Sequence, residues 1–172
     1  MGNLKWRGTK KQFHLQNTFT EANILNTTSH STALEASSQW LQTRPGEACL
    51  IRVSAEQTGG LYSVVEIVSQ PGDGTPLHVH ANEDEYALVL EGTARIAYGE
   101  KVIDASAGES LLLKRGIPHA WANGTDKPMR LLMTCTPGGV EQALRLIAAQ
   151  DMDQLMAIAE QLAVTVLGPT PF

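Results

Sequence analysis

The sequence predicts an all-β domain of the sandwich or barrel type, followed by a short helical segment. Three observations carry this. From about residue 48 to residue 136, short apolar runs follow one another with little between them except turn residues. Glycines punctuate the runs, at Gly92, Gly99, Gly108 and Gly116 and in the pair Asn123-Gly124. After Pro137-Gly138-Gly139 the apolar spacing changes to that of a helix.

Taken in order, Ala48–Ser54 reads as a strand, Gly59-Gly60 as a turn, and the β-branched stretch Leu61–Ser69 as a second strand. Pro71-Gly72-Asp73-Gly74 is a tight loop. Strand-like runs follow at Leu77–His80, Glu85–Leu90, Thr93–Tyr98, Lys101–Ile103, Ser110–Leu113, His119–Ala122 and Met129–Thr136. Many short strands at close spacing fit an antiparallel sandwich or barrel. Val140–Ala149 and Asp153–Leu162 read as helices, with Asp151 or Asp153 as the cap of the second, and Val164–Leu167 as a final extended piece. The helices carry no evident chemistry and are expected to cover an open face or edge of the barrel. Residues 1–31 form a polar arm in which His14 and His30 receive no role. The barrel is expected over 32–137 and the helical segment over 138–172. The stretch from Ser31 to Gln42 declares no state of its own.

The 172 residues suit one domain. A net charge of −5 argues against a nucleic-acid-binding protein, which would carry a basic excess. Lys5, Arg7, Lys10 and Lys11 make a basic start, but Gln12–Thr28 is mostly polar and lacks the apolar core of an export signal. No run reaches membrane-spanning length. A cytoplasmic protein with no membrane partner is therefore expected. Cys49 and Cys135 lack metal-ligand or redox-motif spacing and read as buried thiols.

The chemistry lies in two segments. Residues two apart on a strand face the same way, so His78 and His80 aim two imidazoles from one strand. Glu85 follows a short bend and can return a carboxylate to the same point, with Glu83 as the alternative. Two imidazoles and a carboxylate suit a divalent transition metal, and they match the donor set of non-haem iron. In the second segment a strand, a glycine turn and Pro118 bring His119 onto another strand as a fourth ligand. Asn123 reads as a turn former beside Gly124. Trp121 shares parity with His119 and can line the pocket or pack in the core. Tyr62, Tyr86 and Tyr98 are candidates for outer hydrogen bonds to the site, and Met129 and Met133 for barrel lining.

The two segments resemble the two motifs of the cupin superfamily, G-x5-H-x-H-x4-E-x6-G and G-x5-P-x-G-x2-H-x3-N. Gly72, His78, His80, Glu85 and Gly92 fill the first. Gly108, Gly116, His119 and Asn123 fill the second, in which Lys114 stands where the family has proline. The resemblance implies a jelly-roll β-barrel around one divalent transition metal ion, Fe, Mn, Ni, Co, Cu or Zn, held by His78, His80, Glu85 and His119. The stretch Glu56–Tyr62, the Thr136–Gly139 turn and the end of the chain are similar to single-domain cupins of the quercetin 2,3-dioxygenase-like kind. That likeness implies a metal-dependent dioxygenase acting on a flavonol-like or enolisable small molecule, with Glu85 as both ligand and general base. The same site also admits a metal-dependent isomerase or decarboxylase, or a non-catalytic small-molecule sensor. The resemblance further implies a homodimer.

Overall fold

The computed structural model describes residues 39–172, so the N-terminal arm and the first residues of the expected barrel lie outside the described residues. The chain forms two antiparallel sheets in the jelly-roll manner. The strands are β1 (Leu41–Arg44), β2 (Glu47–Val53), β3 (Ser63–Ser69), β4 (Leu77–His80), β5 (Asp84–Glu91), β6 (Thr93–Tyr98), β7 (Lys101–Ser106), β8 (Ser110–Leu113), β9 (His119–Ala122), β10 (Met129–Thr136) and β11 (Val164–Gly168). Helices α1 (Val140–Ala149) and α2 (Met152–Leu162) stand between β10 and β11. One sheet has the order β1-β2-β3-β10-β5-β8 and the other β11-β4-β9-β6-β7.

Alternation along each strand builds the core. Met129, Leu131, Met133 and Cys135 of β10 point inward, opposite Val65 and Ile67 of β3 and Ala87 and Val89 of β5. Ile96, Leu113 and Trp121 complete the cluster from the other strands. The outer face of the six-stranded sheet is less simple. Glu66 is buried there, held by Arg52 of β2 and Arg130 of β10, and Arg130 also pairs with Glu91 of β5. Around this network Val64, Leu88, Leu90 and Leu132 are half-buried, and Tyr86 and Leu112 are exposed.

Turns place the two motif segments. Gly92 has φ +78° between β5 and β6, and a Cβ there would stand 3.2 Å from Met129 Cα, so only glycine fits without strain. Gly116, at φ +76°, donates its N–H to the carbonyl of His80 at 2.7 Å, which ties the loop before β9 to the end of β4. Lys114 donates its backbone N–H to the Tyr98 hydroxyl at 3.2 Å. Proline has no such donor, so the departure from the family motif carries a hydrogen bond of its own.

Two features went unseen in sequence. Strand β1 begins at the end of the ambiguous stretch and runs on to Arg44, and Glu56–Thr58 forms a 3-10 turn. Asp151 is the cap of α2, its Oδ1 accepting the Gln154 N–H at 3.1 Å. Both cysteines are free and buried. Burial pushes the Cys49 thiol up to about 12 and raises Cys135 well above the ordinary thiol range, so neither is a nucleophile near neutral pH.

Candidate metal centre

The centre draws on both sheets. His78 and His80 sit on β4 and His119 opens β9, directly across the ladder from His78. Glu85 comes from β5 in the other sheet. Each of the four offers a ligand atom, and these atoms lie within 4.8 Å of one another. The imidazole centroids are 4.5 Å apart for His78 and His119, 5.0 Å for His78 and His80, and 5.5 Å for His80 and His119. His119, His80 and Glu85 are buried and His78 is half-buried.

Each imidazole presents Nδ1 to an oxygen. His78 Nδ1 is 2.8 Å from the Pro76 carbonyl and His119 Nδ1 is 2.9 Å from the Ile117 carbonyl. His80 Nδ1 lies 3.2 Å from Glu83 Oε1. On the opposite side, His80 Nε2 is 3.5 Å from Glu85 Oε1 and His119 Nε2 is 3.1 Å from Glu85 Oε2. His119 thus faces an acceptor on both ring nitrogens. It satisfies both either as an imidazolium or with a cation in place of the Nε2 proton.

The electrostatics agree with that choice. Burial lowers His78 and takes His80 down to about 4, so both keep a free lone pair at neutral pH. Burial alone would lower His119 too, but the Glu85 hydrogen bond and charge outweigh it and hold His119 above its ordinary value. Burial would likewise raise Glu85. The His119 hydrogen bond and the neighbouring histidines outweigh it and keep the carboxyl below the ordinary carboxylate range. The set is two neutral imidazoles, a third whose Nε2 faces the Glu85 carboxylate, and that carboxylate, which fits a divalent transition metal.

Glu83 and Glu85 are two residues apart, so both turn inward. Only Glu85 approaches Nε2 atoms of the histidines. Glu83, Glu85 and Cys135 also come within 4.8 Å of one another. Burial, with Glu85 and Glu141 nearby, raises Glu83 to about 9, so it is protonated at neutral pH when no cation is present.

The cluster opens on a cavity of about 390 Å3. Its wall is mainly apolar. Val65, Ile67, Trp121 and Met133 come from the sheets, and Val140, Ala143, Leu144 and Ile147 from one stripe of α1. Leu155, Met156 and Leu162 of α2 extend it. The helices thus cover the site itself, which periodicity could not show. Trp121 is both core and lining, with the Arg44 guanidinium 5.5 Å from its ring centroid. Arg44 is in turn bound to Glu47 at 2.6 Å and Asp73 at 3.1 Å. Met133 lines the cavity, whereas Met129 belongs to the core cluster. None of the three tyrosines lines the cavity. Asn123 is a turn organiser: its Oδ1 accepts from the Thr125 N–H and its Nδ2 donates to the Ser69 and Lys127 carbonyls.

Residues 65–135 match the family model described as a cupin domain. The chain carries a cupin domain. Among curated relatives, this cupin is 32% identical over 74 residues to mannose-1-phosphate guanylyltransferase 2 of Escherichia coli O157:H7. It is 30% identical over 76 residues to quercetin 2,3-dioxygenase of Bacillus subtilis. The matches cover 43% and 44% of this chain but only 15% and 22% of those proteins. Among solved structures it resembles KdgF from Halomonas sp., with a TM-score of 0.55 and 14% identity over 60% of this chain and 90% of that one. It also resembles a predicted oxalate decarboxylase from Thermotoga maritima, with a TM-score of 0.53 and 19% identity over 58% and 90%. At these identities the structural likeness speaks for the cupin fold alone. Among the described residues, no helix of this cupin is long and apolar enough to cross a membrane.

Proposed function

We propose that this cupin is a metal-dependent dioxygenase acting on an apolar, enolisable small molecule of flavonol-like character. The cavity carries the reading. Its volume suits an organic molecule of drug-like size, and its wall is apolar apart from the histidine–glutamate cluster, Thr75, Arg44 and Glu47. Among the described residues, Arg44 is the one lysine or arginine in that wall, and Glu47 and Asp73 already engage it. A sugar phosphate or a small dicarboxylate, which the names of other relatives suggest, would find no free positive charge there among the described residues.

A divalent metal held by His78, His80, Glu85 and His119 would supply Lewis acidity and, if redox-active, a path for electrons to dioxygen. The chain does the rest. Glu85 is ionised at neutral pH and held in place by His119, so it can accept the proton of an enolic hydroxyl at Oε1 or Oε2. Trp121 and the apolar stripe of α1 enclose the substrate rings and exclude water.

Oxygen-electrode assays with flavonols on protein loaded with Mn, Fe, Co, Ni or Cu test the reading. Oxygen uptake in step with substrate loss is expected. No uptake with any of the five metals rejects the flavonol version. Turnover without oxygen would favour a metal-dependent isomerase or decarboxylase, and ligand-induced thermal stabilisation without product would favour a sensor.

Two further parts belong to this proposal. The free thiols of Cys49 and Cys135 suit the reducing cytoplasm. The half-buried Val64, Leu88, Leu90 and Leu132 on the outer sheet face suit a homodimer packed through that face. A solution scattering mass of two chains is expected, and a mass of one chain would reject the dimer.

A further inference from the structure

His80 stands apart from the other two histidines. His78 and His119 each direct Nδ1 to the carbonyl of the residue two before, Pro76 and Ile117. The residue two before His80 is His78, within the same extended strand, and no backbone carbonyl meets His80 Nδ1. The oxygen beside it is Glu83 Oε1, at 3.2 Å. The two atoms are misaligned for a hydrogen bond, and each is buried without any other partner among the described residues. Glu83 is only 5% exposed. A buried polar pair that stops just short of bonding is costly as it stands, and a small rotation of the imidazole would satisfy both atoms.

We propose that Glu83 is the positioning residue for His80, accepting the Nδ1–H and thereby fixing the ring so that Nε2 presents its lone pair to a metal ion. The inference rests on the metal-centre reading. It explains why a buried acid stands two residues before Glu85 without reaching any imidazole Nε2. Glu83 acts through His80, and its oxygen does for that ring what the Pro76 and Ile117 carbonyls do for the other two. Outer partners of this kind typically change metal affinity by roughly 10–100-fold.

The test is competition titration of metal-free protein with Zn2+ and Co2+, for the parent, Glu83→Leu and Glu83→Gln. Glu83→Leu is expected to weaken both ions by roughly 10–100-fold. Glu83→Gln, whose side-chain carbonyl can still accept the Nδ1–H, is expected to recover most of that loss. A histidine 15N–1H correlation spectrum of the zinc-loaded parent and of Glu83→Gln should show a hydrogen-bonded His80 Nδ1–H. That resonance should move or vanish in Glu83→Leu, which a purely structural role would not produce. If Glu83→Leu does not fold, the parent and Glu83→Gln spectra decide: the absence of a hydrogen-bonded His80 Nδ1–H in both overturns the proposal. It is also overturned if Glu83→Leu binds both ions as tightly as the parent with the His80 signal unmoved. Two ions per chain in the parent, falling to one in Glu83→Leu, would overturn it by making Glu83 a ligand beside Glu85 and Cys135. A parent that binds neither ion overturns the metal-centre reading itself, and is seen before any variant is made.

Discussion

His119→Ala is expected to lower divalent-metal affinity by more than about 100-fold, beyond the loss from removing an outer partner. The ring it deletes is fully buried, bonded to the Ile117 carbonyl on one side and Glu85 on the other. Cobalt titration followed by the ligand-field bands of the ion checks this, and unchanged affinity would remove His119 from the donor set. A second signature is pH-dependent. In the parent, His119 holds the Glu85 carboxyl below its ordinary range. Without it, burial is left opposed only by His80 and His78 and is expected to raise that carboxyl. A raised folded-state pKa means the unfolded chain releases its proton first, so stability falls as pH rises above the ordinary carboxyl range. The metal-free variant is therefore expected to lose more stability relative to the parent near neutral pH than in weak acid. Thermal melts across that range read the difference.

Glu141→Ala is expected to cost about 2–6 kcal/mol, because it strands two backbone donors that each cost about 1–3 kcal/mol when left unmet. Glu141 is buried at the first turn of α1. Its Oε1 accepts the Ala55 N–H at 2.7 Å and its Oε2 accepts the Gly139 N–H at 3.0 Å. One side chain thus fastens the helix that covers the cavity to the loop before the 3-10 turn. Glu141→Gln keeps one acceptor and should lose roughly half as much. Urea unfolding measures both. Limited proteolysis of Glu141→Ala should cut first near 137–139, since the covering helix loses its tether there. A Glu141→Ala protein as stable as the parent would show that water replaces both bonds.

The strands carrying the site were legible because their patterns are simple. Leu77–His80 and His119–Ala122 stand where alternation and turn residues placed them. The histidines converge because β4 and β9 are ladder neighbours, with His78 opposite His119. Parity alone could not separate Glu83 from Glu85, since it sends both inward; the motif spacing chose Glu85, and in the structure the partner atoms tell the two apart. Glu141 was missed for a related reason: an acid on an amphipathic helix reads as solvent-facing, and its two backbone partners are remote or local in ways periodicity does not encode. Strand β1, which supplies Arg44 to the cavity wall, was hidden because four residues among polar neighbours carry too little pattern. The helices were visible by period, but the surface they cover depends on where the chain turns after Gly139.

Strand β4 has an uneven pair of neighbours. It meets β9 through the single pair His78 and His119, but meets β11 along its whole length, from Leu77 opposite Gly168 to His80 opposite Val164. Synthesis delivers β4 long before β11, with six strands and both helices made in between. Closing so distant a pairing is intrinsically slow. On this ground the two-histidine strand is expected to gain its second flank late in folding, and an ion at these donors would be expected to hold more firmly once that pairing has closed.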